Sequence, residues 1–132
     1  MTLVDTSAWI EQLRKKGEPA VRRRVEHLLS AGEAAWCALV RLELWNGVQA
    51  GSETTALTEM QKTIPELPID TEVWRLAVEM SRRCRRAGLT IPSTDHVIAA
   101  CARRHGVALE HADRHFDQML DIQGEERPDR LL

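Results

Sequence analysis

Four acidic residues stand where an acid is available for chemistry. Asp5 directly follows the apolar run Thr2-Leu3-Val4, and Asp113 stands downstream of Val107-Ala108-Leu109. Asp95 sits in the opening turn of a segment, Val97-Ile98-Ala99-Ala100-Cys101-Ala102, that is apolar all round; Glu43 lies between Leu42 and Leu44, with Trp45 next. Taken singly, each has a plain structural explanation. Asp5, Asp95 and Asp113 occupy places where a helix N-terminus favours an acid through capping and the macrodipole, and Glu43 suits a partly exposed helix position. Together they ask for more, because capping does not require every helix at one end of a sheet to present a carboxylate, nor a Glu within an apolar segment. Carboxylates brought together repel and lose hydration, and protons or cations must resolve the conflict. Oxygen-only ligation selects hard divalent ions, Mg2+ or Mn2+. Such ions activate water and neutralise charge in phosphodiester hydrolysis, with no protein nucleophile needed.

Convergence needs a framework. Thr2-Leu3-Val4 reads as a strand, followed by a helix that Thr6 or Ser7 can cap and that carries Trp9, Ile10 and Leu13. After Pro19 a second helix places Val21, Val25, Leu28 and Leu29 on one face and Arg22, Arg23, Arg24 and Glu26 outside; Ser30-Ala31-Gly32 ends it. Ala35-Trp36-Cys37-Ala38 reads as a second strand, running into a helix over roughly 39–49. Another helix covers 53–63, and Leu67-Pro68-Ile69 reads as a short edge strand, since Pro cannot donate to a ladder. A helical period runs from 71 to 87, stopped by Gly88. Pro92-Ser93-Thr94 opens the apolar helix, which belongs in the middle of the domain. Val107-Ala108-Leu109 is a third strand, a short helix follows near 114–120, and the polar tail from Gly124 reads as frayed. Strands alternating with helices predict an α/β fold with a mainly parallel sheet. In such sheets the functional crevice lies beyond the carboxyl ends of the strands, so Asp5 and Asp113 are delivered to one edge.

The 132 residues, 43% hydrophobic and 29% charged, predict a single domain over 1–132 and exclude disordered and low-complexity classes. The uncharged stretch around Trp36 is far shorter than the roughly 20 residues that a membrane-crossing helix needs. Met1-Thr2-Leu3-Val4 meets Asp5 before any signal-peptide apolar region develops. A soluble, cytoplasmic protein with no membrane partner is expected. Cys37, Cys84 and Cys101 form no Cys-x-x-Cys pair and are expected as buried reduced thiols. Trp9, Trp36, Trp45 and Trp74 are expected in the core.

Four segments share an order and spacing with a known family: Leu3-Val4-Asp5-Thr6-Ser7 with Trp9-Ile10; Leu42-Glu43-Leu44 followed by Gly47; Asp95-His96-Val97-Ile98-Ala99-Ala100; and His111-Ala112-Asp113-Arg114-His115-Phe116-Asp117. Over essentially its whole length the chain resembles the PIN-domain ribonucleases, specifically the VapC-type toxins of bacterial toxin–antitoxin pairs. The resemblance implies a PIN-like three-layer α/β/α fold with a short, mainly parallel central sheet flanked by helices. It implies that Asp5, Glu43, Asp95 and Asp113 are the catalytic acids and hold Mg2+, for which Mn2+ can substitute. Thr6 and Ser7 would orient a ligand or a metal-bound water, and Asp117 would be a further acid or a supporting group. The resemblance also implies endoribonuclease cleavage of single-stranded RNA, homodimerisation, and neutralisation by a cognate antitoxin whose C-terminal segment lies across the site. Two features depart from the family pattern: His111 stands where Thr or Ser is frequent, and the C-terminal tail is polar where a final strand is usual.

The net charge of −2 by itself disfavours a nucleic-acid binder. With Asp5, Glu43, Asp95, Asp113 and Asp117 masked by metal, however, the 18 bases outnumber what is left of the 20 acids by three. The bases cluster at Arg14-Lys15-Lys16, Arg22-Arg23-Arg24, Arg82-Arg83 with Arg85-Arg86, and Arg103-Arg104, an arrangement suited to an RNA backbone. Three rival readings are weaker. A zinc site from His111 and His115 needs both on one helix, and His111 precedes the expected helix start. An aspartyl-phosphate phosphatase wants a second Asp two residues after Asp5, where Ser7 stands. A catalytically weak PIN module that only binds a partner protein is disfavoured by the presence of all four acids.

Overall fold

Leu3 and Val4 are fully buried because they form the middle strand of a three-stranded parallel sheet. The computed structural model describes residues 1–49 and 51–126. Strand β1 (Thr2–Val4) leads into α1 (Thr6–Leu13) and α2 (Pro19–Ser30), then β2 (Ala34–Ala35). Helices α3 (Ala38–Gly47), α4 (Ser52–Thr63), α5 (Thr71–Arg86) and α6 (Ser93–Arg104) follow, then β3 (Ala108–Glu110) and α7 (Arg114–Glu126). The strand order is β2-β1-β3, with Thr2 opposite both Ala34 and Ala108, and Leu3 opposite Ala35 and Leu109. Parallel crossovers are right-handed. The connection from β1 to β2 and the opposite-going one from β2 to β3 therefore put helices on both faces, giving the expected α/β/α layering. The same reversal creates a crevice beyond the carboxyl ends of β1 and β3.

Glycine stops launch both outer strands. Gly106, at φ +65°, closes α6: its N–H bonds to the Arg103 carbonyl and the Val107 N–H to that of Ala102, the double closure typical of a left-handed C-cap. Gly32, at φ +68°, ends α2 in the same way and feeds β2. The core is centred on α6, whose residues from Asp95 to Ala102 are all buried, as its all-round apolar sequence predicts. Trp9 and Trp36 meet edge to face at 6.2 Å between ring centroids within it. The three cysteines are free and buried. Among the described residues no helix is long and apolar enough to cross a membrane.

Several local expectations need correction. Leu67-Pro68-Ile69 is not a strand: a single parallel bridge pairs Glu66 with Trp36, through Trp36 N–H to the Pro65 carbonyl and Leu67 N–H to the Trp36 carbonyl. Pro68, with no N–H, cannot carry the ladder on. The cap of α1 is Asp5, rather than Thr6 or Ser7, because its carboxylate reaches the Ser7 N–H at 3.0 Å. Trp74 is not core. It lies 53% exposed on α5 beside Val78, 60% exposed, on the side of that helix turned away from Val73, Ala77 and Met80. Trp45 is half-buried and donates its indole N–H to Gln61. Residues 124–126 belong to α7 rather than to a frayed tail, and the rest of that tail lies outside the described residues.

Candidate active site

Each acid owes its position to a different element. Asp5 and Asp113 end the loops leaving β1 and β3, and both also cap the helix that follows: Asp5 Oδ2 accepts the Ser7 N–H, and Asp113 Oδ1 accepts the His115 N–H at 2.9 Å. The capping explanation and the clustering one are thus both realised. Capping engages Asp5 Oδ2 and Asp113 Oδ1. Asp95, in the first turn of α6, is carried in by the most buried helix of the molecule. Glu43 comes from α3 and is half-buried.

The hydroxyls beside Asp5 tie together the elements that carry these acids. Thr6 Oγ1 donates to Glu43 Oε1 at 2.7 Å, linking α1 to α3. Ser7 Oγ donates to Asp5 Oδ2 at 2.6 Å and accepts the Ala112 N–H at 2.9 Å, so one hydroxyl ties the β1 corner to the β3 corner. His111, where the family more often has Thr or Ser, still makes a local contact: its Nδ1 accepts the Asp113 N–H at 3.3 Å, and its ring packs against Phe116. Asp117 is placed differently. It is paired with His111 Nε2 at 3.6 Å, with a side chain 69% exposed.

The electrostatics show the cost of this arrangement. Burial, followed by repulsion from Asp5 and Asp113, pushes Asp95 up to about 6. Burial raises Asp5 above the usual carboxylate range against the opposing hydrogen bonds from Ser7 and the Thr6 backbone, with Asp113 adding repulsion. Glu43 is also raised, by burial first and by Asp5 last, with the Thr6 hydrogen bond opposing. All four carboxylates are therefore linked by mutual repulsion, and a divalent cation is the group that would relieve it.

His115 is the residue that sequence reasoning missed. Its Nδ1 lies 3.1 Å from Asp95 Oδ2 and 3.3 Å from Asp113 Oδ1. One donor atom each from Asp95, Asp113 and His115 lies within 4.8 Å of the others, a group that could hold a metal ion. The available signal was its place two residues after a capping Asp, where a first-turn side chain can fold back over the cap. The basic clusters are only partly free. Arg22 is tied to Glu26 and to the Arg14 and Lys15 carbonyls, Arg24 to Glu110 and Arg104 to Asp70. Among the described residues, Arg23, Arg82, Arg85 and Arg86 are exposed and make no ion pair.

The model of the PIN domain matches residues 2–120. The chain belongs to the PIN-domain family. Within it the similarity is to VapC proteins: 38% identity to VapC ribonuclease Mb1587 of Mycobacterium bovis, covering 92% of this chain and 93% of that one. Ribonuclease VapC18 of Mycobacterium tuberculosis is 32% identical, over 92% of this chain and 89% of its own length. Among solved structures, VapBC2 from Rickettsia felis bound to a DNA fragment from their promoter superposes with a TM-score of 0.66 at 17% identity. That superposition covers 82% of this chain and 84% of the other, and supports the PIN fold independently of close sequence.

Proposed function

We propose that this PIN protein is a metal-dependent endoribonuclease and the toxin of a toxin–antitoxin pair. The observation that carries the reading is the meeting of Asp5, Glu43, Asp95 and Asp113, from four separate elements, at the carboxyl edge of the sheet with their charges in conflict. The VapC relatives, named as ribonucleases, support the same activity. These four acids would hold a hard divalent ion, Mg2+ or Mn2+. When bound, such an ion supplies an activated water and neutralises charge on the phosphodiester. The chain's own groups fix the geometry. Ser7 and the α1 N-terminus hold the Asp5 carboxylate, Thr6 holds Glu43, and the α7 N-terminus holds Asp113. The substrate is single-stranded RNA, drawn in by the exposed unpaired arginines. A cognate antitoxin covers the site with its C-terminal segment, and the protein acts in the cytoplasm.

The decisive experiment is cleavage of a labelled RNA by the purified chain with Mg2+ or Mn2+, then with excess EDTA. Cleavage is expected with either ion and none with chelator; undiminished cleavage in EDTA would falsify the metal-dependent reading.

We propose that the homodimer forms through the uncovered face of α5. Trp74 and Val78 are large, exposed apolar side chains one turn apart on α5. Two copies meeting across a two-fold axis at this face bury both apolar residues. Light scattering at micromolar concentration is expected to give a dimer for the native chain and a monomer for Trp74→Asp with Val78→Asp. A dimer retained by the double variant removes α5 as the contact.

A further inference from the structure

We propose that His115 is a protein ligand to the ion in this site, and that its imidazole makes the site prefer Mn2+ to Mg2+. The inference rests on the metal-dependent reading above and concerns which ion the site selects. His115 comes from the first turn of α7, its main chain held by the bond from its N–H to Asp113 Oδ1. The side chain turns back so that Nδ1 lies between Asp95 Oδ2 at 3.1 Å and Asp113 Oδ1 at 3.3 Å.

Those separations are the ones that ligands sharing an ion require. Octahedral coordination with bonds of about 2.1 Å puts neighbouring donors about 3 Å apart. With the ring proton on Nδ1, that N–H can donate to the carboxylates. With the ring proton on Nε2, the Nδ1 lone pair faces the space that the two acids share.

The nitrogen decides the selectivity. Mg2+ takes oxygen donors and keeps its waters, gaining little from imidazole, whereas imidazole suits first-row transition ions. Two carboxylates and an imidazole on one side of the site therefore favour Mn2+, while Asp5 and Glu43 supply oxygens that either ion accepts.

The test is binding of Mn2+ alone to the full chain without RNA, read by loss of the free-ion electron paramagnetic resonance signal, with Mg2+ as competitor. The native chain is expected to bind Mn2+ at least about tenfold more tightly than Mg2+. The spin echo of bound Mn2+ should carry the modulation of a directly bound imidazole nitrogen. In His115→Ala that modulation disappears, Mn2+ affinity falls about tenfold and Mg2+ affinity changes less than about twofold. Bound Mn2+ without nitrogen modulation in the native chain overturns the inference whether or not the variant folds, and so does an equal loss of both ions in a folded His115→Ala. Failure of the native chain to bind Mn2+ at all removes the metal-dependent reading and this inference with it, a result distinct from Mn2+ held through oxygen alone.

Discussion

RNA cleavage in Mn2+ is expected to fall at least about 10³-fold in Asp5→Ala and in Asp95→Ala, a loss of about 4 kcal/mol in transition-state stabilisation. The two acids reach the site from different parts of the chain, Asp5 from the end of β1 and Asp95 from the first turn of α6, so equal severity would tie both to one centre. They are also buried, and truncating either leaves the remaining acids short of a ligand. Asp117→Ala is the internal control. Its carboxylate is mostly exposed and paired with His111, and its replacement is expected to cost less than about tenfold. Initial rates on a single-stranded RNA, with each variant checked for folding by circular dichroism, give the comparison. Near-native cleavage by either buried-acid variant would remove that residue from the chemistry, and near-native cleavage by both would remove the centre.

The same acids should weaken the metal-free fold in a way that pH reveals. Asp95 titrates near 6 in the folded chain against 3.8 for an unperturbed side chain. Between these values the unfolded chain has released its proton while the folded chain retains it, so stability falls as pH rises. The contribution is fully present below the unfolded value and is lost once pH has passed the folded one, a change of about 3 kcal/mol. Asp5 and Glu43 are raised as well and act in the same direction. Metal-free Asp95→Asn is therefore expected to melt about 10 °C above the native chain at pH 7.5, with the gap closing towards pH 4. Divalent ion should stabilise the native chain more than the variant, because binding favours the folded state that holds the site. Thermal melts in EDTA across that range decide the matter. A variant no more stable than the native chain at pH 7.5 means that the carboxylates do not oppose one another as their placement requires.

Legibility in the sequence followed the range of the interactions involved. Periodicity and stop signals are local, and they carried the helices: Pro19, Gly32, Gly88 and Pro92 mark real boundaries, and the all-apolar run after Asp95 is the buried centre. The strands were legible only roughly: of the run Ala35–Ala38 only Ala35 lies in β2 and Ala38 already opens α3, and β3 is shifted one residue later than Val107–Leu109, because strand bounds are decided by what a neighbour can pair. Leu67-Pro68-Ile69 misled for that reason. Leu67 and Ile69 pack against the core, but the backbone pairs with a neighbour only through the single bridge of Glu66 to Trp36, which the Leu67 N–H closes. Trp74 misled because an aromatic at helical spacing reads as core, and only packing shows which side of α5 is left open.

For the site, residue types and the places of Asp5, Asp95 and Asp113 at helix starts were enough to nominate the acids, since chain order alone fixes which residue follows a strand or opens a helix. What the sequence by itself determined is the α/β alternation, the apolar centre and the inventory of carboxylates. Only the tertiary structure decided that Ser7 bridges two strand ends, that Thr6 holds Glu43, that Asp117 pairs outside with His111, and that His115 puts a nitrogen between Asp95 and Asp113. The physical reason is that a side chain's direction depends on rotamers and on neighbours distant in sequence. Those contacts form only when the sheet and helices pack, and no local pattern encodes them.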